Sequence, residues 1–354
     1  MTTPNTLPTV KLRDSNMELL RIVAMLLVMI VHANFRALPV PGIPAIATNP
    51  SGAFLQFFVE AFSIVAVNVF VLLSGWYGIR PRVNRLAELV FQVLFFGVVC
   101  LGLATIIEGK APSDVWRKLF ILGDGDYWFI KTYVALYLLS PVLNAWVENA
   151  SRRSQMLLLV SFFVFEFIYG WWWDGTTWLR RGYSLPSFMA LYLLSRYMRN
   201  YQPRFATLNK WMDLLIYFDV AAVLTVLMYL LKQAGMRGDY WYYYTCPLVI
   251  VGAVYLLLFF SKLSFRSKVI NWVAISSLAI YLTQSSSFVW CYYDQIIRDW
   301  FNIEPRFTFI IYTVLFIAAV FVVSILVDKL RLLLWNGTLA MMNQLKPTIW
   351  KEKK

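Results

Sequence analysis

The chain reads as an all-α, polytopic membrane protein with about ten transmembrane helices and both termini cytoplasmic. Three observations carry that reading. Sixty per cent of the 354 residues are apolar and only 14% are charged, with a mean hydropathy of +0.62, whereas a soluble globular chain carries about 25% charge. The apolar residues gather into stretches near the ~20 residues that a helix needs to cross hydrocarbon with every backbone group bonded within the segment. Lys and Arg fall unevenly on alternate loops, as orientation in a bilayer requires.

The spans follow in order. The first, 17 to 36, comes after a polar start and has no small-residue cleavage site behind it, so it is expected to be a retained helix and not a removable signal peptide. The others are placed at 54 to 76, 86 to 107, 128 to 147, 156 to 173, 184 to 199, 212 to 231, 241 to 260, 272 to 292 and 307 to 327. Three outer loops stand out: 37 to 53, rich in Pro and Gly; 108 to 127, ending in Gly123-Asp124-Gly125-Asp126; and 171 to 183, with Trp171-Trp172-Trp173, Trp178, Arg180 and Arg181. Those tryptophans suit an interfacial belt, and stacking on sugar rings is the alternative. With no linker and no repeat, the chain divides into a cytoplasmic segment 1–16, one transmembrane domain 17–327 and a basic cytoplasmic tail 328–354.

The net charge of +13 is explained by topology. Of the 32 Lys and Arg, twenty lie in segments on the side of the N-terminus, ten lie on the other side, and Arg21 and Lys131 lie within helices. This bias places both termini in the cytoplasm and makes anionic lipid, not nucleic acid, the partner of the basic face. A multi-pass protein of the inner (cytoplasmic) membrane is expected. Cys100, Cys246 and Cys291 show neither metal-ligand spacing nor a disulfide framework, so no metal site is expected and buried small apolar residues are the default. A pairing of Cys246 with Cys291, both in outer helix halves, stays open.

His32 is the only histidine, and it lies within the first span, where a polar ring must be used or satisfied. Arg21 precedes it by eleven positions, which returns it to the same helix face about 16 Å away. Glu18 lies nearly on that side and can pair with Arg21. Arg21 could also simply reach the inner interface, and His32 could bond another helix, or act as a base near neutral pH. The second span ends in Asn68-Val69-Phe70-Val71-Leu72-Leu73-Ser74-Gly75-Trp76, and the next loop carries Arg80, Arg82 and Arg85. Ser74-Gly75 suits close helix packing. The arginines serve topology, or hold a diphosphate-bearing ligand.

Arg21 and His32 with ten residues between them, the 68–76 segment and the Arg82-x-x-Arg85 pair together resemble the acyltransferase-3 family of membrane O-acyltransferases. The likeness extends to Tyr127-Trp128-Phe129-Ile130 with Tyr133, to Tyr137-Leu138-Leu139-Ser140-Pro141 with Asn144, and to Ser276-Ser277-Leu278-Ala279-Ile280-Tyr281-Leu282. It implies transfer of an acyl group, usually acetyl from cytoplasmic acetyl-CoA or from another acyl-CoA as co-substrate, with no bound cofactor, to a hydroxyl of a surface glycan or its lipid-linked precursor. By that resemblance His32 is the catalytic histidine, Arg21 its paired basic residue, Arg82 and Arg85 contacts for CoA phosphates, and Asn68, Ser74 and Gly75, with Glu18, Trp128 and Lys131, site architecture. Two positions depart from the family pattern: Gln284 stands where many members have a histidine, and Lys131 where many have an acid. A mechanism needing two histidines is therefore not expected. The rival class, a transporter or flippase for a lipid-linked sugar, would use intramembrane carboxylates such as Glu60, Glu166 and Asp219, but no helix pair broken by Gly or Pro accompanies them.

Overall fold

The computed structural model describes residues 14–110, 115, 119, 127–173 and 178–349, so most of the loop 108 to 127 lies outside the described residues. Everything regular in them is helical. The helices are α1 (Ser15–Val31), α2 (Ile43–Thr48), α3 (Pro50–Ser63), α4 (Ala66–Tyr77), α5 (Val83–Glu108), α6 (Trp128–Asn149) and α7 (Arg152–Glu166). They continue with α8 (Leu185–Tyr201), α9 (Lys210–Gln233), α10 (Pro247–Ser261), α11 (Lys268–Ala274), α12 (Ser277–Gln284), α13 (Trp290–Ile303) and α14 (Arg306–Ile349). Among the described residues, eight helices or helix runs are long and apolar enough to cross a membrane: 15–36, 50–77, 83–108, 128–149, 152–172, 210–233, 239–261 and 306–341.

The two remaining predicted spans take other forms. The 184 to 199 span is α8, a 17-residue helix packed against α4, α6 and α7. The 272 to 292 span is not one helix: it breaks at Ile275–Ser276 between α11 and α12, and again over 285–289, where Ser285-Ser286-Ser287 offers the backbone hydroxyl partners that compete with helical ones. The first helix sits at the centre, enclosed by α3, α4, α10, α11 and α12.

Local features explain several element ends. Asn49 caps α3 by accepting from the Gly52 N–H at 3.0 Å, and Ser151, Ser184 and Asn209 cap α7, α8 and α9 in the same way. Pro141 lies inside α6 and leaves the Tyr137 carbonyl without its helical donor; the Ser140 hydroxyl donates to that oxygen at 2.7 Å. Gly75 brings α4 against α8, since a Cβ there would stand 2.4 Å from the Tyr192 carbonyl oxygen. One face of the bundle gathers the start of α1 with the 78–82 and 262–267 loops, as in the bonds from Tyr77 Oη to Asp14 (3.1 Å) and from the Ser267 N–H to Ser15 Oγ (2.9 Å). The other face holds Arg36, α2 and α13. The final helix runs without a break through residue 328, and Asp328 and Arg331 are buried there against Gln92 of α5. All three cysteines are free, with Cys100 and Cys246 buried and Cys291 exposed, so the open pairing of Cys246 with Cys291 does not form.

Candidate active site

His32 opens a five-residue π-helical turn, His32–Arg36, at the end of α1, with the Ala37 N–H donating to the His32 carbonyl at 3.1 Å across five residues. Such wide turns are frequent where α-helices carry functional sites. Both neighbouring elements hold this turn. Asn34 Nδ2 donates to the Gln56 carbonyl at 2.9 Å and to Glu60 at 3.0 Å. Arg36 forks onto Asp294 of α13, with Nη2 to Oδ1 at 2.7 Å and Nε to Oδ1 at 3.0 Å.

The His32 ring meets the broken ninth span. The Gln284 side-chain amide, at the last residue of α12, lies 2.8 Å from His32 Nδ1. The other ring nitrogen, Nε2, has no hydrogen-bond partner among the described residues, and the side chain is only partly buried. The sequence marks Gln284 as a departure; nothing in it signals the contact.

Motifs distant in sequence converge beside this pair. Tyr127 Oη donates to the Leu282 carbonyl at 2.7 Å, and the Tyr281 ring stands 5.9 Å from those of Tyr127 and Phe129. Phe129 in turn meets Phe70 of α4 at 6.0 Å. Trp128 lies 4.3 Å from Tyr183 and 6.0 Å from Tyr244, and Asn68 Nδ2 donates to the Tyr244 carbonyl at 3.0 Å. Lys131 is half-buried and engaged with a partner. Ser74 donates back to the Phe70 carbonyl at 2.9 Å, and Gly75 serves the α4–α8 contact, so this pair acts through packing.

Arg21 and Glu18 form the anticipated pair at 2.6 Å. They lie toward the start of α1, whereas His32 lies at its far end, so no contact joins Arg21 to the histidine. Arg82 and Arg85 are exposed at the opposite face from His32. Their loop is clamped. The Ile79 N–H donates to Tyr192 Oη at 3.0 Å, Tyr192 donates to Asn144 Oδ1 at 2.6 Å, and Asn144 Nδ2 returns to the Ile79 carbonyl at 2.7 Å. Tyr137 Oη receives the Arg82 N–H at 2.7 Å and donates to the Arg82 carbonyl at 3.1 Å. The Tyr137-to-Asn144 motif thus holds the arginine loop, a role sequence reasoning missed.

Arg196 is a further cation there. Its guanidinium packs over Gly78, and its Nε is buried without a partner among the described residues. Beside it a cleft of about 560 Å³ is lined by Asp14, Trp76, Tyr77, Arg199 and Arg266 among others. Among the described residues no group of His, Cys, Asp and Glu has the makings of a metal site.

A clamped cationic loop at one face and a lone, partly accessible histidine at the other, joined by motifs in the acyltransferase-3 order, agree with the family comparison: a model described as an acyltransferase domain matches residues 14–329. The chain belongs to the acyltransferase-3 family. No curated protein and no solved structure matches it. This acyltransferase is a multi-pass membrane protein that passes an acyl group from a donor to an acceptor. The family does not favour the transporter reading, and the three carboxylates behind that reading are dispersed. Glu60 is buried with Asn34 and Glu166 is buried on α7, whereas Asp219 is exposed on α9.

Proposed function

We propose that this acyltransferase moves acetyl from acetyl-CoA to a hydroxyl of a surface polysaccharide or its lipid-linked precursor in the cytoplasmic membrane. The observation that carries this reading is the placement of the only histidine: its Nδ1 is held by Gln284 and its Nε2 has no partner among the described residues. A sugar hydroxyl is a poor nucleophile at neutral pH and must lose its proton as it attacks a thioester, so a positioned imidazole is the group it needs. His32 is that base. The donor enters at the opposite face, where Arg82, Arg85 and Arg196 have no carboxylate partner among the described residues and suit the CoA phosphates. The ~16 Å along α1 between Arg21 and His32 is a span for the pantetheine arm to cover. Arg21, paired with Glu18, belongs to the donor side. Asn68, engaged by the Tyr244 carbonyl, and Trp128, stacked among tyrosines, shape the wall and do not contact the reacting atoms.

The test compares wild-type and His32→Ala protein at matched membrane levels in a strain lacking the gene, with O-acetyl groups on the purified surface polysaccharide counted by proton NMR. Wild type is expected to restore acetyl, and the variant to fall by about 10²- to 10⁴-fold in transfer. Equal restoration by both would remove His32 from the chemistry. Acetyl content unchanged in every strain would exclude this donor and acceptor.

A further inference from the structure

We infer that Gln284 is a positioning residue that fixes the His32 tautomer, its amide oxygen accepting the Nδ1–H so that Nε2 keeps a free lone pair. The inference rests on the acyl-transfer reading and assigns a part to a residue that departs from the family pattern. An imidazole offers the reaction one nitrogen, and the partner of the other decides whether that nitrogen donates or accepts. Here the partner is the neutral Gln284 amide, placed with its nitrogen 2.8 Å from Nδ1. Oxygen and nitrogen of such an amide have nearly the same shape, and the bonding network decides their order. With the amide nitrogen toward Nδ1, the ring proton sits on Nε2, the accessible nitrogen becomes a donor, and Gln284 Oε1 is left buried with no partner. With the oxygen toward Nδ1, that oxygen gains a donor, the amide NH2 takes the buried position it leaves, and His32 Nε2 becomes a base.

Only the second arrangement supports the reaction. The acceptor O–H bond breaks with its proton passing to Nε2, while its oxygen forms a bond to the thioester carbonyl carbon. The C–S bond then breaks, and the leaving thiolate takes the proton back from Nε2, restoring neutral His32. Nδ1–H stays bonded to Gln284 throughout. Three features keep the amide in place: it ends α12, the Leu282 carbonyl two residues earlier is tied to Tyr127, and the π turn carrying His32 is anchored through Asn34 and Arg36.

Because the chain has one histidine, full-length protein labelled with [15N]histidine in lipid nanodiscs gives a single imidazole spectrum that needs no assignment. At pH 8 the expected spectrum shows a protonated Nδ1 and a bare Nε2; a protonated Nε2 overturns the proposal. In parallel, thioester cleavage is measured for Gln284→Leu and Gln284→Glu, at equal amounts of protein that elutes as a single species. Gln284→Leu is expected to lower kcat about tenfold, the worth of one hydrogen bond at the reacting group, with the acyl-CoA KM unchanged. Gln284→Glu, whose carboxylate accepts and cannot donate, is expected to recover most of that loss. Full kcat in Gln284→Leu, or no recovery in Gln284→Glu, also overturns it. Absence of thioester cleavage by wild type sinks the acyl-CoA reading instead, and the spectrum still decides the tautomer.

Discussion

Gly75 has no side chain because α8 leaves none room. An added Cβ would stand 2.4 Å from the Tyr192 carbonyl oxygen and 2.9 Å from Ser195 Cβ, and a backbone oxygen cannot rotate away as a flexible side chain can. Gly75→Ala is therefore expected to lower stability by roughly 1–3 kcal/mol through overpacking, read as a lower unfolding temperature in detergent. Gly102 on α5 is the control, since nothing lies within 4 Å of its Cβ position, and Gly102→Ala gains up to about 1 kcal/mol of helix propensity. Equal melting of the two variants would show that α4 and α8 separate without cost. The sequence left packing and site architecture both open for Ser74-Gly75, because a small residue in a helix does not say what approaches it. Glu18 with Arg21 was legible, since an i, i+3 pair is a local property of one helix. The Gln284–His32 contact was not, because 252 positions separate the partners.

The π turn depends on the helix that grips it. Asp294 of α13 is buried and receives the Arg36 fork, while the guanidinium also lies 6.0 Å from the Trp290 ring centre and 5.7 Å from that of Tyr293. Asp294→Ala removes the only carboxylate bonded to Arg36 among the described residues and is expected to cost roughly 1.5–3 kcal/mol, the range for hydrogen bonds to charged groups. Replacing both, as Arg36→Leu with Asp294→Leu, is expected to cost less than Asp294→Ala alone, because no uncompensated charge then stays behind. Thermal unfolding of the three variants checks this, and a double variant less stable than the single would show that the pair does more than neutralise itself. The existence of most long helices was readable from apolar length. The division of the ninth predicted span into α11 and α12 was not, because Ser276 and Ser285 to Ser287 are tolerated inside helices wherever neighbours satisfy their hydroxyls, and only the packing shows that here they are not used so.

The bundle presents one face with Arg82, Arg85 and Arg196 and another with α13, where Cys291 is exposed together with the polar Gln295, Arg298, Asp299 and Asn302 and the apolar Trp290, Phe301 and Ile303. If the termini are cytoplasmic, as the Lys and Arg bias predicts, α13 faces outward. A membrane-impermeant maleimide added to right-side-out vesicles is then expected to label Cys291 alone of the three cysteines, with the label lost in Cys291→Ser; labelling only after permeabilisation would reverse the topology. The helical, membrane-spanning character, the charge asymmetry and the motif order were all present in the linear chain, because each is a matter of composition or of the order of residues along it. Tertiary structure decided which groups meet: Gln284 at the His32 ring, Tyr127 at Leu282, and Tyr137, Asn144 and Tyr192 around the arginine loop. A helix's own period shows which face it buries, but the identity of the neighbour on that face is set by how some dozen helices pack together, and no single stretch of sequence contains it.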